Sequence, residues 1–208
     1  MHGTNPYAQA GWYNPANPLS IDQSSGSTSS SHPPTFGALP YPNTSKPSQK
    51  CFTLTSQGKG IINGCDVVDS ASRHAAFKIK MAHDGLDYTT VQYPNGSRVG
   101  YVVWKPEGPE VEVYGSVAKQ KAKYWLPLSP DKSSRFMQFN GKHYTWQFAR
   151  DAMYFYDYVL NRHQQVAKVY PVKDGTTVFE ASETLLNSGM LESVVLAIVL
   201  LLSERFRD

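Results

Sequence analysis

From Phe52 to Ala181 the chain alternates short runs rich in β-branched and aromatic residues with turn-forming pairs, and an apolar run follows only afterwards. In Tyr144-Thr145-Trp146-Gln147-Phe148 the aromatics recur at a period of two, with polar residues between them, as in a strand buried on one face. Lys78-Ile79-Lys80 and Lys119-Gln120-Lys121-Ala122-Lys123 carry the same period in charge. Asn95-Gly96, Asn140-Gly141 and Asp174-Gly175, each between strand-like runs, predict three hairpins. The runs predict strands over 52–55, 61–62, 66–69, 76–81, 88–93, 98–105, 111–114, 117–125, 135–140, 142–148, 153–160, 165–170 and 176–181. With about a dozen strands and no helix between them, the sheet is expected to be antiparallel.

The pattern changes after Ser188. From Met190 to Leu202 only Glu192 and Ser193 interrupt an apolar sequence, so a helix here has no polar face and must be enclosed. Its unbroken part, Val194 to Leu202, is well short of the roughly 20 residues that cross a bilayer. No transmembrane span is therefore expected, and the segment reads as a core helix over about 188–206, roughly 28 Å long at 1.5 Å per residue. Ser188 is placed to cap its start, Glu192 to meet the positive end of its dipole, and Arg205 and Arg207 to meet the negative end. A dozen strands are best relieved of their edges by closure, and a barrel of that size leaves an interior that the helix fills. The expected fold is mainly β: a closed antiparallel barrel of about twelve strands around a hydrophobic C-terminal helix.

Composition divides the 208 residues into two parts. Residues 1–50 carry three charges, Asp22, Lys46 and Lys50, while Ser, Pro, Gly and Asn fill 25 of the 50 positions. Such a segment buries too little apolar surface to offset its ordering entropy, so a disordered tail over 1–50 and a folded domain over 51–208 are expected. A net charge of +3 is too mild to suggest nucleic acid. Two cysteines, Cys51 and Cys65, make no disulfide framework, and no apolar stretch follows Met1, so the expected location is the cytoplasm or a peripheral membrane surface.

Several stretches together resemble a known family. They are the Trp104 strand, Trp125-Leu126-Pro127-Leu128-Ser129 leading to Ser133-Ser134-Arg135-Phe136, the hairpin Asn140-Gly141-Lys142-His143-Tyr144-Thr145-Trp146, and the helix ending in Glu204-Arg205. Over residues 51–208 the chain resembles a fungal family of unknown function. That family shares the arrangement of the tubby C-terminal domain, the LURP-one-related proteins and the phospholipid scramblases. The resemblance implies a barrel wrapped around its C-terminal helix. It also implies a capacity for phosphoinositides, which the tubby domain binds through basic residues.

Catalytic chemistry finds no constellation in the sequence. The six histidines are scattered at 2, 32, 74, 83, 143 and 163, and none has metal-ligand spacing. A Cys65 and His74 couple would activate a thiolate only if the fold joined them. Neither a nucleophile elbow nor a phosphate loop is present, so no enzyme, cofactor or metal is expected. The best binding candidates are basic: Lys119, Lys121 and Lys123 on one strand face, Lys78 and Lys80 on another, and Lys132 and Arg135 in the loop that follows. Converging cations hold a phosphorylated headgroup, Lys as a point charge and Arg by bidentate contact. A solubilising strand face accounts for the same lysines. The expected function is a non-catalytic binding module for an anionic phospholipid headgroup or a protein partner. A scramblase-like membrane protein is the alternative, and an enzyme without a recognisable motif comes third.

Overall fold

The computed structural model describes residues 49–56, 60–159 and 162–206. The tail expected over 1–50 lies outside the described residues except for Gln49 and Lys50, which open the first strand.

Among the described residues twelve strands form one antiparallel sheet: β1 (Gln49–Ser56), β2 (Gly64–Asp69), β3 (Ala75–Asp84), β4 (Leu86–Gln92), β5 (Arg98–Trp104), β6 (Glu110–Val113), β7 (Val117–Lys121), β8 (Ser134–Phe139), β9 (Lys142–Phe148), β10 (Met153–Val159), β11 (Arg162–Pro171) and β12 (Thr176–Ser182). Hairpins run outward from β1 to β7 on one side and from β12 to β8 on the other. β1 pairs with β12 to join the halves, giving the order β7-β6-β5-β4-β3-β2-β1-β12-β11-β10-β9-β8. All three hairpin turns fall where expected. At Asn140-Gly141 both residues have positive φ, 48° and 76°, the two-residue turn whose twist matches its strands.

The closed barrel is not formed, because β7 and β8 are not paired. β7 ends where the chain turns into a short helix, α1 (Ala122–Trp125), in place of the strand expected to reach Trp125. The chain returns through Leu126 to Ser129, which itself takes the outer edge of β8. Leu128 bridges Arg135, the Phe136 amide donates to the Pro127 carbonyl at 2.9 Å, and the Ser129 amide donates to the Ser134 carbonyl at 2.8 Å. The bonds that would join the sheet's ends are in part used by the connecting segment.

The expected single helix is two. α2 (Glu183–Asn187) starts with the Ser182 hydroxyl accepting from the Leu185 amide, and Ser188 closes it by donating to the Leu185 carbonyl at 2.6 Å. Gly189, at φ 72°, turns the chain into α3 (Leu191–Leu201). Ser188 thus ends one helix and does not cap the next. Ile61 and Ile62, expected as strand, lie in a single 3-10 turn, Ile61–Asn63.

In α3 the eight consecutive residues from Ser193 to Leu200 are all buried. Eight residues exceed two turns, so every face of the helix is covered. Its surroundings come from both halves of the sheet: Phe52, Val102, Val111, Trp146, Phe155 and Phe179 are all buried in one cluster with it. Among the described residues no helix is long and apolar enough to cross a membrane. The ends of α3 are pinned by polar contacts. At its start the Tyr93 hydroxyl donates to Glu192 at 2.7 Å, and Ser116 and Ser193 hydroxyls lie 3.0 Å apart. Beyond its end Arg205 donates to Asp87 at 2.6 Å.

Candidate basic surface

The outer face of β5, β6 and β7 gathers charge of both signs. Glu110 stands between two ammonium groups, Lys105 at 2.8 Å and Lys119 at 3.7 Å. The Lys105 hydrogen bond is the main cause that holds the Glu110 carboxyl below its ordinary range, and it raises Lys105 in return. Next to this pair, Tyr101 donates to Glu112, and that bond, helped by burial, pushes the phenol up to about 12. Lys119 is therefore partly neutralised where it stands.

Further along the chain the cations make no close ion pair, although Lys121 stands opposite Glu110 in register and its charge helps hold that carboxyl down. Lys121 is the last residue of β7, and neither it nor Lys123 or Lys132 forms an ion pair within 4 Å among the described residues. Lys123 lies on α1 and not on a strand, so the alternation with Lys121 is broken by the helical turn. Its ammonium sits 5.3 Å from the centroid of the Tyr124 ring, which is 67% exposed. Lys132 projects from a tight loop at φ 59°. That loop is held by Asp131, which accepts from the Ser129 hydroxyl at 2.5 Å and from the Ser133 hydroxyl at 2.6 Å. Those bonds, Ser129 first, hold the Asp131 carboxyl down at about 2.

Arg135 departs from the expected site. It lies in β8, as the strand expected over 135–140 has it and not in the loop with Lys132, and is only 4% exposed. Its Nη1 donates to the Leu126 carbonyl at 2.8 Å, and its guanidinium carbon lies 4.1 Å from the Phe206 ring centroid. These contacts use the residue to hold the connecting segment and the chain after α3, leaving no open guanidinium for a headgroup.

Lys78 and Lys80 face outward on β3, where Phe77 and Ile79 are buried. Lys78 stands opposite Asp66 and Gln92, and Lys80 opposite Gly64 and Thr90. β3 is four strands from β7, roughly 19 Å along the sheet at ~4.8 Å per strand. The two lysine groups do not converge on one ligand. Tyr124, by contrast, joins the basic surface unannounced, since a strand reading of 117–125 gave its side chain no reason to stand out.

Cys65 is buried, and burial is the main cause that pushes its thiol up to about 12. It pairs with Ile79 near one end of the β2 and β3 hairpin, whereas His74 sits in the turn at the other end. No thiolate couple forms between them. Among the described residues no group of three or more His, Cys, Asp or Glu side chains could hold a metal ion.

No curated protein matches the chain. A protein of Arabidopsis thaliana with an X-ray structure is similar at 10% sequence identity and a TM-score of 0.42, over 73% of this chain and 93% of that one. The model of a family of unknown function, DUF6593, matches residues 61–207, which is most of the chain and nearly all of its sheet. The chain belongs to that family.

Proposed function

We propose that this chain is a non-catalytic binding module that docks on an anionic phospholipid surface through Lys121, Lys123 and Lys132, with Tyr124 as an aromatic anchor and Lys119 at the margin. The observation that supports this reading best is the pairing of a Tyr124 ring 67% exposed with the Lys123 ammonium, which forms no ion pair within 4 Å among the described residues. A large amphipathic ring left in water beside a lysine ammonium suits the headgroup layer, where the ring meets the interface and the lysines meet phosphates. We place the fold nearest the tubby C-terminal kind, with its helix in the interior and its seam filled by the connecting segment. A scramblase-like role would require α3 to leave its enclosure, and eleven residues span about 16 Å against a hydrocarbon layer of about 30 Å.

Vesicle sedimentation tests the reading. The full chain is expected to bind vesicles containing phosphatidylserine or phosphoinositide, to ignore neutral phosphatidylcholine vesicles, and to lose binding as salt rises. Each lysine near an anionic membrane contributes about 1 kcal/mol, so replacing Lys121, Lys123 and Lys132 together by Gln is expected to weaken binding by about a hundredfold. Equal binding by the triple variant, or no binding of the parent at low salt, overturns the proposal.

A further inference from the structure

A cavity of about 210 Å³ opens at the end of the sheet where α3 stops. Leu202, the residue that closes the helix, lines it together with Phe148 of β9, Met153 of β10, and Val169 and Pro171 of β11. These side chains are apolar. Of the polar ones on the wall, Tyr170 already donates its hydroxyl to Glu180 at 2.9 Å, and Thr177 is buried. Water in such a space finds few of the polar partners that hold it, so an apolar body displaces it at little cost.

The mouth, in contrast, carries charge of both signs. Arg150 and Asp151 line the cavity from the turn between β9 and β10, where the Ala149 amide donates to the Ala152 carbonyl at 2.8 Å. Both residues are exposed, and neither forms an ion pair within 4 Å among the described residues. One guanidinium and one carboxylate, adjacent in sequence, thus stand at the rim of an apolar hole with their bonding capacity still open to a ligand.

We propose that this cavity binds a free apolar α-amino acid of the size of leucine, methionine or phenylalanine, at a site that shares no residue with the basic surface. Such a molecule is a zwitterion with an apolar body. Its carboxylate suits the planar fork of Arg150, its ammonium suits Asp151, and its side chain suits the walls. Volume agrees, since a dry apolar cavity of about 150 Å³ takes up benzene. A fatty acid satisfies Arg150 but sets its own carboxylate beside Asp151, and an apolar amine sets its ammonium beside Arg150. An apolar side chain of a partner protein fills the hole and brings no charge for either rim residue.

Titration calorimetry of the full chain tests the inference, with L-leucine, L-methionine and L-phenylalanine supplied separately at millimolar concentration. Binding of at least one is expected. The matching amine, which lacks the carboxylate, and the matching carboxylic acid, which lacks the ammonium, are each expected to bind at least tenfold more weakly, the loss of one charge-assisted contact. Arg150→Gln and Asp151→Asn, both on an exposed turn, are expected to cause losses of the same size with thermal midpoints close to the parent's. Ala152→Leu places extra volume in the cavity and is expected to abolish binding. Should that variant fail to fold, Ala149→Trp, at an exposed position on the rim, is read in its place. The Lys121, Lys123 and Lys132 triple variant is expected to bind the amino acid as the parent does, which separates this outcome from the fate of the membrane reading. No binding of any of the three amino acids overturns the inference, as does equal binding of the amine or the acid, or binding that Arg150→Gln and Asp151→Asn leave intact.

Discussion

The Arg135 guanidinium lies over the Phe206 ring, 4.1 Å from its centroid, and donates from Nη1 to the Leu126 carbonyl. One buried cation thereby ties β8 to the segment that crosses from α1 and to the chain beyond α3, at the place where the sheet's two ends fail to pair. Arg135→Ala removes a charge-assisted hydrogen bond of ~1.5 to 3 kcal/mol and a desolvated cation–π contact of up to ~2. A loss of about 3 kcal/mol in urea unfolding is expected, while vesicle binding by the fraction that remains folded stays at the parent's level. A stable variant that lost vesicle binding would return Arg135 to the binding surface.

Tyr93 and Glu192 are 99 residues apart in sequence and joined by a 2.7 Å hydrogen bond. That bond is the first cause, with burial second, that raises the Tyr93 phenol to about 12 from an ordinary value near 10. The proton is held more tightly in the folded state, so this contribution is complete below about pH 10 and is lost as pH rises through 12. Tyr101, raised to about 12 by Glu112, acts in the same direction. Alkaline unfolding of the parent is therefore expected to steepen above pH 10. Tyr93→Phe is expected to lower stability by about 1 kcal/mol at pH 7 and to flatten that alkaline slope. An unchanged slope in the variant would show that Tyr93 is not the group responsible.

The strands and hairpins were legible because their signals are local: alternation within five to seven residues, and Asn-Gly or Asp-Gly pairs that demand positive φ. The enclosure of α3 was legible too, since a helix without a polar face has to be covered. Closure was not, because it depends on what Leu126 to Ser129 does with the edge of β8, and that competition leaves no mark in the hydrophobic pattern. Lys119, Lys121 and Lys123 look periodic in sequence, yet α1 begins at Ala122 and carries Lys123 off the strand. The strand expected over 135–140 placed Arg135 at the start of β8, but its burial was not legible. Its neighbours Ser133 and Ser134 read as loop, and nothing in sequence places Phe206 over it.

Gly100 is a strand glycine with a steric reason. A Cβ at this position would lie 2.4 Å from the Glu112 carbonyl oxygen and 3.1 Å from the Val113 Cα. Those are backbone atoms of the paired strand β6, so neither can swing aside as a side chain does. Gly100→Ala is expected to cost about 1 to 3 kcal/mol through forced separation of β5 and β6, opposite in sign to the usual gain from replacing a strand glycine. Thermal unfolding measures it. A variant at or above the parent's midpoint would mean that the two strands tolerate the shift.

The position of α3 makes the sharpest demand on stability. Leu196, Ile198 and Leu200 are each 0% exposed, and the residues between them are buried as well, so the helix contributes apolar surface in every direction. Leu200→Ala is expected to cost about 2 to 5 kcal/mol, the range for emptying a core site that collapses incompletely, against a total stability of ~5 to 15. Leu200→Asp adds a buried carboxylate with no partner and is expected to abolish the folded state near neutral pH. Truncation before Ser188 removes the whole helix and should leave a sheet lined with exposed core residues, aggregating or molten in character. Circular dichroism in the near ultraviolet and dye binding to exposed apolar surface distinguish these states from the parent. A truncated chain that stayed soluble and melted cooperatively would show that the sheet stands without α3, leaving the helix free for some role other than filling it.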